Sequence, residues 1–144
     1  MSGPTAPEPQ GPQLTDGEEL LYRQVSPAFI EEGAITSAAF TPTRKDEGLL
    51  SVSRSGLVTA QQAWERHTRD KGLKSAGTWG FTVIETALPC YGDPTTAPPD
   101  DAHAVVDFRG LSRGAVEKKA KLLRDVALAR GCLYAAPNTV MPST

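Results

Sequence analysis

Between Trp79 and Ile84 the chain sets Trp79, Phe81 and Val83 in alternation with Gly80, Thr82 and Ile84, a period of two rich in aromatic and β-branched residues. Successive side chains of a strand point to opposite faces, so this stretch predicts a central strand covered on both sides. Shorter runs of the same character predict further strands over 20–25, 49–53, 104–108 and 132–134. The period changes in two places. Thr59 and Gln62 have capping-box spacing, Ala60, Ala63, Trp64 and His67 share one helical face, and Gly72 supplies a stop, which predicts a helix over about 60–71. A longer helix is bounded by Ser112 as N-cap, by Leu111 and Val116 as a hydrophobic staple, and by Gly131 at its end. In it Val116, Ala120, Leu122, Leu123, Val126 and Ala127 form one stripe, and Arg113, Glu117, Lys121, Arg124 and Asp125 the opposite face. Helices and strands mix irregularly. The predicted class is α+β: a single domain with a mostly antiparallel sheet and two amphipathic helices on one face.

Residues 1–17 contain Pro4, Pro7, Pro9 and Pro12 with Gly3, Gly11 and Gly17 and almost no large apolar side chain, which predicts a flexible leader. Residues 135–144 repeat that composition, with Pro137 and Pro142, and predict a flexible tail. The domain is expected to occupy 18–134, with no internal repeat at solenoid periods. Pro89, Pro94, Pro98 and Pro99 mark the segment from Leu88 to Asp101 as a long surface excursion.

Charge narrows the partners. The 144 residues carry a formal net charge of -2, whereas polyphosphate binders present a basic field or a clustered basic stripe, so nucleic acid is not the expected partner. No apolar run approaches the roughly 20 residues that span a bilayer, and the amino terminus lacks the basic-then-apolar order of a secretory signal. The expected setting is the cytoplasm, where isolated thiols stay reduced.

Reactive residues are scattered. His67, His103, Cys90 and Cys132 stand singly, with no partner at ligand, redox or thiol–imidazole spacing, so neither a metal site nor a cysteine nucleophile is expected. His67 reads as a packing residue of its helix and Cys90 as the more exposed thiol. His103 follows Asp100 and Asp101, which would raise its proton affinity if the fold brought them close. Packing explains the segment 33–54 least. Thr36, Ser37, Phe40, Arg44, Lys45, Asp46 and Glu47 combine hydroxyls, an aromatic ring and mixed charge in a loop leading into a strand, and are the candidate partner-binding residues. A solvated loop with turn-forming hydroxyls is the plainer alternative.

Two resemblances add to this reading. Arg23, Ser51 or Ser53, and Glu85 lie on successive predicted strands in the order arginine, serine, glutamate, which resembles the layout of ADP-ribosyltransferases of that type. The resemblance implies an NAD-using enzyme in which the arginine holds the dinucleotide, the serine braces the site and the glutamate hydrogen-bonds the ribose. The chain departs from that pattern at Val83, apolar where a polar residue is expected two positions before the glutamate. Secondly, the runs Leu20 to Val25, Phe40 to Pro42, Lys45 to Val52, Val105 to Phe108 and Arg130 to Gly131 resemble a family of small uncharacterised bacterial proteins. That likeness implies a self-contained domain and brings no activity with it. The expectation is a non-enzymatic accessory or protein-interaction domain without a cofactor, the alternative being a small NAD-using transferase.

Overall fold

Strand β1, Leu20–Gln24, lies near the middle of a six-stranded sheet. It pairs antiparallel on one side with β4, Leu49–Arg54, and on the other with β5, Gly77–Thr82, whose Trp79 and Phe81 oppose Arg23 and Leu21. The computed structural model describes residues 11–43, 48–95 and 100–137. A two-stranded hairpin of β2, Ile30–Glu31, and β3, Ala34–Ile35, stands apart from the main sheet. Outside β4 come β7, His103–Asp107, and β6, Cys90–Gly92, and β8, Tyr134–Ala135, closes the other edge beyond β5. Every pairing is antiparallel, so the chain is an α+β domain built on one antiparallel sheet. Gly77 is required where β5 meets β8, because a Cβ there would lie 2.7 Å from the Tyr134 carbonyl oxygen.

The central alternation decides how the sheet is covered. Trp79 and Phe81 join Leu21, Leu50, Val52, Val106 and Phe108 in a cluster completed by Ala120, Leu123 and Ala127 of the long helix α3, Arg113–Arg130. Ser112 caps that helix by accepting from the Ala115 amide, and Gly131 ends it at a φ of 95°, as the sequence predicts. Thr78, one position before Trp79, points the other way: its hydroxyl donates to the Ala60 carbonyl at 3.2 Å in helix α1, Ala60–Glu65. The two helices therefore lie on opposite faces instead of sharing one. A central strand buried on both sides needs cover on both, and Val58, Ala63, Ala102 and Tyr22 form the smaller second core.

Other differences have local causes. The period of two ends at Thr82, because Thr82 and Glu85 form a capping box that starts the short helix α2, Val83–Thr86, and leaves Ile84 72% exposed. α1 stops early as well, continuing as one π-helical turn, Arg66–Asp70, before Gly72 at a φ of 68°. Leu14 is buried and donates its amide to the Cys90 carbonyl, and Ala136 is buried and donates to Ala76, so ordered packing extends past 18–134 at both ends. Cys90 is buried because β6 pairs with β7, which pushes its thiol pKa up, and Cys132 is the exposed thiol. Among the described residues no helix is long and apolar enough to cross a membrane.

Phe40 does not face a partner. It closes a 3₁₀ turn, Ser37–Phe40, is fully buried, and meets Phe81 edge-on with ring centroids 6.2 Å apart. Phe40→Ala is therefore expected to lower unfolding free energy by about 3–5 kcal/mol, read from the urea midpoint at unchanged slope. A loss below about 1 kcal/mol would show that the ring is not part of the core.

Candidate functional site

β1 and β4 pair only through Leu21 with Arg54 and Tyr22 with Ser53, and beyond that point they separate. The Ser51 carbonyl consequently has no ladder partner on its β1 side. Arg23 fills the opening: Nη1 donates to the Ser51 carbonyl at 2.9 Å and Nε to the Ala39 carbonyl at 2.7 Å. On the α1 side of this opening lies a cavity of about 50 Å³ bordered by Tyr22, Gln24, Ser51, Ser53, His67, Lys71 and His103.

His103 is the most constrained group in it. Its Nδ1 lies 2.9 Å from the Asp93 backbone carbonyl oxygen and 3.3 Å from Asp93 Oδ2. A carbonyl oxygen can only accept, so Nδ1 carries a proton, and in the neutral imidazole Nε2 presents its lone pair to the Ser51 hydroxyl, 3.2 Å away. Register explains the reach. β4 and β7 place Ser53 opposite His103 and Ser51 opposite Val105, and the ring spans the diagonal to Ser51. Asp93 and His103 are both largely buried. The aspartates that the sequence places just before His103 point elsewhere: Asp100 accepts from Arg66, Lys71 and the Ala102 amide, and Asp101 pairs with Arg66. Burial opposes ionisation of Asp100, but the Ala102 amide, Arg66 and Lys71 together outweigh it and hold the carboxyl below its usual range. These ion pairs tie the π-helical turn, which covers the cavity, to the start of β7.

The predicted residues divide. Arg23, Ser51 and Ser53 meet at the cavity, though Arg23 is engaged with backbone carbonyls. Glu85 is not with them. It lies beyond Thr82, which opposes the far end of β1 at Leu20, and its carboxylate accepts from the Thr82 amide and from Arg130. The arginine–serine–glutamate grouping is not assembled. Thr36 donates its hydroxyl to the Phe29 carbonyl, Ser37 borders an open furrow beside α3, and Phe40 is in the core. Arg44, Lys45, Asp46 and Glu47 lie outside the described residues. Sequence reading missed Asp93 and the role of His103. The available signal was the alternation of His103, Ala104 and Val105, which puts His103 on the face away from the main core. Among the described residues no group of three or more His, Cys, Asp or Glu is arranged to hold a metal ion. Comparison with protein-family models, curated proteins and solved structures finds no match.

His67 borders the same cavity. Burial, then the charges of Lys71 and Arg23, lower its pKa from 6.5 to about 4, so it is neutral at pH 7. Unfolding returns the group to about 6.5, and between these values the unfolded chain binds a proton that the folded chain refuses. Stability is full above pH 6.5 and falls as the pH drops toward 4. Glu85, Asp100 and Asp107 are held below their ordinary range, so the stability they contribute is lost only at the acid end of this window and below it. Going from pH 7 to pH 4.5 should cost wild type about 2 kcal/mol of unfolding free energy more than it costs His67→Gln. Equal losses in urea titrations of the two proteins would show that His67 is not the group responsible.

Proposed function

We propose that this protein is a recognition domain that takes an extended segment of another protein into the furrow along α3. The carrying observation is the continuity of that furrow. A cavity of about 730 Å³ bordered by Glu31, Glu32, Ile35 and Arg124 adjoins one of about 420 Å³ floored by Phe29, Ala38 and Pro42, and Ser37 borders both. Pro42 and Thr43 are shared with a third cavity of about 420 Å³ that reaches Leu111 and Val116. One wall is helical, with Glu117, Lys121 and Arg124, and the other is the 3₁₀ turn and the residues after it.

The dimensions suit a peptide. From Val116 to Arg124 the helix axis advances about 12 Å, room for roughly four residues of extended chain. An apolar floor flanked by both signs of charge suits a segment with an apolar anchor and polar neighbours. This reading keeps the segment 33–54 as the binding region through Thr36, Ser37 and Thr43, removes Phe40 from it, and needs no cofactor. The resemblance to small bacterial proteins and the two free thiols support a bacterial cytoplasmic setting.

Filling the furrow tests the proposal. Ser37→Arg with Lys121→Glu should cut recovery of captured polypeptide from native bacterial lysate at least tenfold while the far-UV circular dichroism stays that of the wild type, and alanine at Lys45, Asp46 and Glu47 should cut it further. Equal recovery by wild type and the furrow variant would contradict the proposal.

A further inference from the structure

On the opposite face of the sheet, and independently of the furrow, we infer that Ser51, His103 and Asp93 form a nucleophilic relay that accepts a small acyl group from an ester. Three side chains from three segments meet in the order such chemistry requires. Asp93, in the turn after β6, fixes the imidazole by accepting from Nδ1 with its backbone carbonyl at 2.9 Å, and its carboxylate Oδ2 lies 3.3 Å from the same nitrogen. His103, at the start of β7, turns Nε2 toward Ser51 Oγ at 3.2 Å, within reach for proton transfer. Ser51, in mid-β4, is half-buried and borders the cavity. Ser53, the direct cross-strand neighbour of His103, borders the same cavity, while the ring nitrogen is aimed at Ser51.

The surroundings favour developing negative charge. Arg23 and Lys71 border the cavity, and each is occupied, Arg23 by carbonyls and Lys71 by Asp100, so they act through their field. Burial first, and then the charges of Lys71 and Arg23, depress the proton affinity of His67 beside the same cavity. The cover is a π-helical turn, a backbone form that recurs at functional sites, held down by Arg66 and Lys71 on Asp100. With about 50 Å³ available, the cavity has room for an acetyl-sized group.

The chemistry balances without a metal or redox partner. Ser51 Oγ bonds to the ester carbonyl carbon as its proton passes to His103 Nε2. The carbon–alkoxide bond then breaks, and the alkoxide leaves as an alcohol with that proton. Water attacks the acyl-serine, giving its proton to Nε2. Collapse releases the carboxylic acid and returns that proton to Ser51.

Methanesulfonyl fluoride, small enough for the cavity, is the probe: the Ser51 oxygen–sulfur bond forms, the sulfur–fluorine bond breaks, and fluoride departs. Intact mass and peptide mapping of the folded wild-type chain should show one adduct, on Ser51. Its rate should exceed that of urea-unfolded wild type and of His103→Gln by about 100-fold or more. Ser51→Ala should lack the adduct. Asp93→Asn, which removes the charge beside the ring, should move the pH profile of labelling to lower pH, a shift that lost packing alone would not produce. p-Nitrophenyl acetate should acetylate the same serine. Absence of a Ser51 adduct on the folded wild type, or labelling no faster than in the unfolded chain, would overturn the inference even if a variant failed to fold.

Discussion

The parting of β1 from β4 governs how both faces of this sheet are filled. Two paired positions, Leu21 with Arg54 and Tyr22 with Ser53, hold the strands together, and past them the Ser51 carbonyl turns toward a gap. A buried carbonyl left unpaired costs about 1–3 kcal/mol, and Arg23 supplies the missing donor. The same guanidinium binds the Ala39 carbonyl, so one side chain joins β1, β4 and the turn that carries Phe40 into the core. The cavity on the α1 face sits where the two strands part.

The two sheet faces consequently differ in character. Toward α3 lies a continuous apolar cluster around Trp79, Phe81 and Phe40, rigid enough to back a furrow built from α3 and the segment 33–43. Toward α1 the apolar core is small, and polar groups occupy the rest: Gln24 donates to Thr78, Ser75 donates to Gln24, and His103 meets Ser51. Buried polar groups persist only where their partners are fixed, and the Arg66, Lys71, Asp100 and Asp101 ion pairs do the fixing by pinning the covering turn. A net charge of -2 conceals this local arrangement, in which cations border a cavity whose aspartates lie behind it.

Features governed by neighbouring residues were legible in the sequence. The alternation around Trp79 announced β5, and Ser112 and Gly131 bounded α3. Thr82 with Glu85 is equally local, a hydroxyl and a carboxylate at capping-box spacing, and reading Glu85 as a strand residue instead carried the β5 strand prediction two residues too far and gave Glu85 a site role. Features set by register were not legible. A stripe of apolar positions shows that a helix covers a sheet without showing which face, and Phe40 sits in a 3₁₀ turn too short to have a period. The site depended most on register. Asp93 and His103 are ten positions apart and Ser51 lies 52 from His103, so only the pairings of β7 with β6 and with β4 bring them together. Cys90 was misjudged for the same reason, since its burial follows from the pairing of β6.

Replacing Arg23 by lysine keeps the charge and removes the second donor that reaches from β1 to both carbonyls. Hydrogen exchange followed by mass spectrometry on wild type and Arg23→Lys is the most direct measurement. Exchange should be faster across β4 and the Ser37–Phe40 turn, with α3 and the β5 side of the sheet unchanged, and stability should fall by about 1.5–3 kcal/mol. Exchange in β4 and the turn that matched wild type would contradict this, because the gap would then be held closed by something other than that guanidinium.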